Sequence, residues 1–308
     1  MTPGYTITHP ERRYTLKPHF TGKTYAIDLK INSFGLRDYE KPIRDDAFRI
    51  AVFGDSITFG QGVSTEKTFP KVVEQQLNDH YHGSPPVQVF NFGIPSYNTV
   101  HEFRYMKEAL PLFKPNMIIV EFTAQNDTLM TGDELSAVNK SFLVRLCKDI
   151  LRHLYSYDFL AARVYGIKHN LTSTIRENKN EAKSFIDNYQ YQDDFQGWIE
   201  AKKAFGDIKA LCDSNHIMLL FTIFANNNAL SPDPEHDIML SMVSKVATVL
   251  KEIGINHIVV MDDAFRQYAG QERQLWVNPQ DLHFSELAHK LAANQLSDYI
   301  QVNKLIPK

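Results

Sequence analysis

The sequence predicts an α/β fold built on a five-stranded parallel sheet with helices on both faces. Three observations predict it. Short runs rich in β-branched and aromatic residues recur at residues 49–53, 87–92, 117–122, 218–224 and 257–261. Each reads as a buried strand, a brief apolar run closed by turn or helix-start residues. Helical patterns separate the runs, and a strand, helix, strand repeat places neighbouring strands parallel, joined by crossovers. Size is the third: 308 residues, 43% of them hydrophobic, provide a real core for two domains or for one large α/β domain carrying an insertion.

Residues 1–47 form an N-terminal arm with Pro3, Pro10, Pro18 and Pro42, which reads as irregular chain wrapped on the domain that follows from residue 48. The first strand is followed by a helical pattern at 68–79 and the second by one at 100–113. After the third strand comes a segment, 128–196, far longer than an ordinary connection. Inside it Leu143, Leu146, Cys147, Ile150, Leu151 and Leu154 recur at helical spacing, with Arg145, Lys148, Asp149 and Arg152 on the other face. A helical insertion is expected, either a cap over the site or a solvent-facing decoration packed on the body. Helical patterns at 197–215 and 237–253 precede the fourth and fifth strands, and one at 285–302 follows the fifth. In such sheets ligands bind at the carboxyl ends of the strands, so chemistry is sought in the residues just after each strand.

Composition removes several classes of function. With 33 Lys plus Arg against 36 Asp plus Glu, the net charge of −3 leaves no basic footprint for binding nucleic acid. The only two cysteines, Cys147 and Cys212, lie outside any CxxC pattern and read as two core thiols rather than a disulfide framework or zinc site. No apolar run approaches the roughly 20 residues that span a bilayer, so no transmembrane segment is expected. The first residues show no basic segment followed by an apolar one, which favours the cytoplasm; an envelope location follows instead if a leader or anchor was removed.

The first strand runs into Gly54-Asp55-Ser56-Ile57-Thr58-Phe59-Gly60-Gln61-Gly62. Its glycines lack the Lys-Ser/Thr pair of a phosphate loop and the spacing of a dinucleotide fingerprint. What remains is Ser56 at the carboxyl end of a strand, where a nucleophile is exposed at the top of a sheet. A serine nucleophile needs a base and a group that orients the base, and Asp281-Leu282-His283 stands before the last helix. The second strand ends in Asn91-Phe92-Gly93-Ile94-Pro95-Ser96, and the third runs into Asn126-Asp127. Turn amides and an Asn side chain are the donors that an oxyanion hole requires.

These blocks together resemble the SGNH hydrolases, the GDSL-like esterases and lipases, and a bacterial branch of that family. Gly54-Asp55-Ser56 is similar to the first block, Asn91 to Ser96 to the second, Asn126-Asp127 to the third, and Asp281 with His283 to the last; Ile31 to Asp38 and Arg49 to Val63 are similar to the bacterial branch. The resemblance covers most of the chain apart from the insertion. It implies a three-layer flavodoxin-like fold and acyl transfer without metal or organic cofactor. Ser56 is then the nucleophile, His283 the base and Asp281 its orienting acid, with the amides of Ser56 and Ser96 and the side chain of Asn126 holding the oxyanion. Three positions depart from the family pattern. Ser96 stands where the family has an oxyanion glycine, and Ala124 stands where the third block has glycine. The family's acid commonly lies three residues before the histidine, where this chain has Gln280; Asp281 lies two before, and a backbone carbonyl could orient the ring instead.

Plainer roles stand beside these. Ser56 could be a helix cap, His283 a surface histidine and Asp281 a helix-start acid. Asp55 and Asp127 read as structural acids holding turn amides, and His289 as a residue of the last helix on another face. Arg37 could clamp an anionic substrate, with a surface or loop-anchoring role favoured; Trp198 and Trp276 read as core aromatics before pocket walls. The expected activity is hydrolysis of a small acyl or O-acetyl ester on a glycan or lipid. An O-acyltransferase acting on cell-surface polysaccharide shares the same acyl-enzyme, and a non-catalytic carbohydrate- or lipid-binding module is the alternative from another class.

Overall fold

The computed structural model of the chain describes residues 4–124, 127–128, 191–225, 235–279 and 281–307. The arm corrects the expectation of irregular chain. It forms two antiparallel hairpins, β1 (Thr6–His9) with β2 (Arg13–Leu16) and β3 (Thr21–Thr24) with β4 (Ile27–Lys30). Four-residue strands give too short an alternation to read. The β3–β4 turn, Tyr25-Ala26, also carries no Asn-Gly signal, although both of its residues are left-handed, with φ of 52° and 65°. Tyr5, Leu16, Leu29, Ile31 and Leu36 anchor the arm in the same core as one face of the main sheet.

That sheet consists of β5 (Phe48–Gly54), β6 (Val87–Gly93), β7 (Met117–Thr123), β8 (Met218–Phe224) and β9 (His257–Val260), all parallel, in the order β6-β5-β7-β8-β9. Renumbered within the sheet the order is 2-1-3-4-5, that of flavodoxin-like folds, whose ligand crevice opens where the order reverses, beside the first and third strands. Here those are β5 and β7. Alternate residues of each strand face opposite cores. Ala51, Phe53, Phe90, Phe92, Ile118 and Val120 pack to one side, while Ile50, Val52, Val87, Val89, Met117 and Ile119 pack to the other.

Helices complete the three layers. After the short α1 (Ser56–Phe59), α2 (Phe69–Tyr81) packs on the second face, while α3 (Thr99–Phe113), α4 (Gln196–Ser214) and α5 (Glu235–Glu252) pack on the first. A short α6 (Asp262–Phe265) precedes a third hairpin, β10 (Trp276–Asn278) with β11 (Asp281–Phe284), absent from the sequence reading. Then α7 (Glu286–Val302) joins α2 on the second face. Residues 41–44 run along the outer strand β6: Gln88 Nε2 donates to Pro42 O at 2.9 Å and Arg44 N donates to Gln88 Oε1 at 2.8 Å. The arm thereby blunts an edge that would otherwise recruit another strand.

The insertion expected over 128–196 falls, for residues 129–190, outside the described residues, as does Cys147. Its two ends abut, since a Cβ on Gly197 would collide with the carbonyl of Thr128. Tyr191 closes the junction by donating to Ala124 O at 2.5 Å and packing on Trp198, which is wholly buried. Cys212 is a core thiol, pushed up to about 12 by burial.

Candidate active site

The end of β5 is shaped by three close approaches. A side chain on Gly54 would meet Thr58 and Glu121, one on Gly93 would meet the backbone of Thr58 and Phe59, and Asn91 Nδ2 donates to Thr58 O at 2.9 Å. Strand β6 therefore grips α1 directly. Asp55 is the N-cap, accepting from Ile57 N at 2.7 Å, so Ser56 is the first helical residue rather than the cap itself. At the other end Gly60, with φ of 80°, returns its amide to Ser56 O and Ile57 O.

Arg37 finishes this turn. It is fully buried, not on the surface, and its guanidinium donates to Phe59 O at 2.8 Å and to Gly60 O and Val63 O. A cation on the last carbonyls of a helix satisfies acceptors that no helical amide reaches. Burial lowers its pKa to about 10, which still leaves it charged near neutrality.

Across the site, Asp281 and His283 lie on β11. Residues two apart on a strand face the same way, and this is why an acid two positions before the histidine reaches its ring. Asp281 Oδ1 accepts from the His283 amide at 3.1 Å and pairs with ring Nδ1, while His283 Nε2 lies 2.9 Å from Ser56 Oγ. Burial raises the Asp281 carboxyl, but donation from Tyr25 and from the amide and ring of His283 outweighs it and holds the group below its ordinary value. The three side chains form one hydrogen-bonded line of hydroxyl, imidazole and carboxylate, an arrangement able to generate a nucleophilic oxygen.

Ser96 follows Pro95 in the β6–α3 loop with φ of 63°, the left-handed conformation that glycine adopts most readily. The loop is pinned on both sides: Ile94 N donates to Gly54 O at 3.1 Å, and Tyr14 of the arm donates its hydroxyl to Pro95 O. Asn126 lies outside the described residues, as do Gln125 and Gln280. Asp127 accepts from Thr123 N at 2.5 Å, a structural contact. His289 is buried on α7, where Nδ1 accepts from Phe69 N at 3.2 Å; burial, then the charges of Arg37 and His283, lower it to about 3. Trp276 is half-buried on β10.

Two groups escaped the sequence reading. Beneath the serine, Glu121 accepts from Asp55 N and Thr58 Oγ1, each at 3.1 Å, while among the described residues both oxygens of buried Glu102 lack a partner. The signal was legible in part: Glu121 is the one charge in the apolar strand Met117–Thr123. The other is Tyr25, whose hydroxyl reaches Asp281 from the arm. Among the described residues no group of three or more His, Cys, Asp or Glu is placed to hold a metal ion, and no helix is long and apolar enough to cross a membrane.

Solved structures align with the chain at low identity. LAE5, an α/β hydrolase enzyme from the metagenome of Lake Arreo, Spain, aligns with a TM-score of 0.49 and 14% identity over 84% of this chain and 98% of its own. The psychrotrophic esterase EstA from Pseudoalteromonas sp. gives 0.47 and 11% over 84% and 100%, and an acetyl xylan esterase from Geobacillus stearothermophilus gives 0.46 and 14% over 82% and 94%. No curated protein matches. The family model of the GDSL-like lipases and acylhydrolases matches residues 52–291, a span that runs from the strand before Ser56 into the helix after His283. The chain therefore belongs to the GDSL-like lipase/acylhydrolase family and is a carboxylic ester hydrolase.

Proposed function

We propose that the chain is a serine esterase that removes a small acyl group, such as O-acetyl, from a glycan- or lipid-linked ester through an acyl-enzyme on Ser56. The observation that carries the reading is the 2.9 Å approach of His283 Nε2 to Ser56 Oγ with Asp281 on the opposite ring nitrogen. Ser56 Oγ attacks the ester carbonyl carbon as its proton passes to His283 Nε2. Collapse of the tetrahedral adduct breaks the bond to the alcohol, which leaves with that proton. Water then attacks the acyl-enzyme by the same route, giving the carboxylic acid and restoring Ser56. The amides of Ser56 and Ser96 suit the developing oxyanion, and the family's third block assigns Asn126 beside them.

Intact-mass analysis after fluorophosphonate treatment tests this. The wild type is expected to gain one adduct mapping to Ser56, and Ser56→Ala and His283→Ala to gain none. Turnover of p-nitrophenyl acetate should fall by about 10³-fold or more in either variant. An unlabelled wild type that turns over no ester would sink the reading and favour a binding module. A sugar acceptor that diverts the acyl group into acylated product would move it to transfer.

A further inference from the structure

We propose that the N-terminal arm is a working part of this site, with Tyr25 as the positioning residue that holds Asp281. The inference rests on the reading of Ser56, His283 and Asp281 given above. Tyr25 stands at the tip of the β3–β4 hairpin and donates its hydroxyl to Asp281 Oδ2, the oxygen that His283 leaves free. Its hydroxyl accepts in turn from Gln61 Nε2 at 2.8 Å. A phenol has one proton, so a donor on its lone pair commits that proton to the carboxylate. Gln61 follows α1 and donates its own amide to Ser56 O at 3.1 Å. The contacts thus close a ring from Ser56 through Gln61, Tyr25, Asp281 and His283 back to Ser56 Oγ. A carboxylate held at both oxygens cannot rotate away from the imidazole that it orients.

The backbone supplies a second, independent observation. Tyr25 and Ala26 both occupy the left-handed region, at φ of 52° and 65°, as a two-residue hairpin turn demands. Asn-Gly fits such a turn without strain; a bulky tyrosine does not. Nor does packing account for the choice, because Tyr25 is 41% exposed. Unfavourable backbone at a residue that touches the acid orienting the imidazole points to function.

Two variants separate positioning from folding. Tyr25→Phe keeps the ring and removes only the hydroxyl; kcat for p-nitrophenyl acetate and the rate of Ser56 phosphonylation are expected to fall about tenfold with KM within about twofold. The proton resonance of the His283 Nδ1–H should move, since Asp281 has lost a competing donor. The double variant Tyr25→Asn with Ala26→Gly installs the preferred turn, and is expected to raise the melting temperature while slowing turnover at least as much. Wild-type rates in both variants, or a Tyr25→Phe loss that tracks a lower melting temperature with the resonance unmoved, would overturn the inference alone. Failure of the wild type to label would overturn it together with the esterase reading.

Discussion

Glu102 shows what a single buried carboxyl does to the molecule. Burial first, and then the charges of Glu121 and Asp55, hold its pKa well above the ordinary value; Glu121 is raised by burial and then Asp55, and Asp127 by burial and then Glu102, Glu121 and Asp55. A carboxyl raised on folding favours the protonated native state. Its stabilisation is complete below the ordinary carboxyl range and is lost as pH climbs towards the raised value. Glu102→Gln stays neutral at every pH, so its melting temperature should gain on the wild type as pH rises from about 5 to 8. Calorimetry across that range reads the slope, which the cost of an unpartnered amide does not change. A pH-independent gap would mean that Glu102 does not titrate where its burial places it. Arg37 acts in the opposite way, as a charge that the core needs. Arg37→Met strips the donor from the carbonyls of Phe59, Gly60 and Val63, and is expected to cost about 2–5 kcal/mol in denaturant unfolding and to lower turnover with it.

At the scale of elements, the strands and long helices were legible because each repeats its pattern over several turns or pleats. All five strands of the main sheet and α2 to α5 and α7 lie within two residues of their expected bounds. What escaped was short. The arm hairpins and β10–β11 have strands of three or four residues, and their turns carry no Asn-Gly to announce them. Missing β11 had a chemical consequence. A spacing of two between Asp281 and His283 departs from the family pattern, yet on a strand it sets both side chains on one face. Likewise the serine at position 96 fits a glycine's place because the loop enforces φ of 63°, held by Ile94 and Tyr14 at its ends. Tertiary contact decides both cases, and one-dimensional spacing does not carry it.

For the whole molecule, the arm binds parts that the chain separates widely. Arg12 pairs with Glu108 of α3 at 2.8 Å and donates to the Tyr97 hydroxyl at 3.2 Å, and Asp38 accepts from Asn91 N at 3.1 Å and from buried Lys71 at 2.8 Å. Removing residues 1–46 leaves Lys71 without Asp38, the Gly60 turn without Arg37 and β6 with an open edge. Such a truncation is expected to associate or aggregate in size-exclusion chromatography rather than to yield an active monomer. A monomeric, fully active product would show that the arm is dispensable.

The 227-position separation of Ser56 and His283 also sets a schedule for synthesis. A ribosome that has translated Ser56 must add β6 to β9 before His283 exists, and the hairpin bearing His283 closes on elements made long before. Throughout that interval the nascent chain carries Ser56 without the imidazole that lies 2.9 Å from it in the folded protein. On the proposed mechanism, chains broken off anywhere in the interval are expected to turn over esters no faster than the His283→Ala variant.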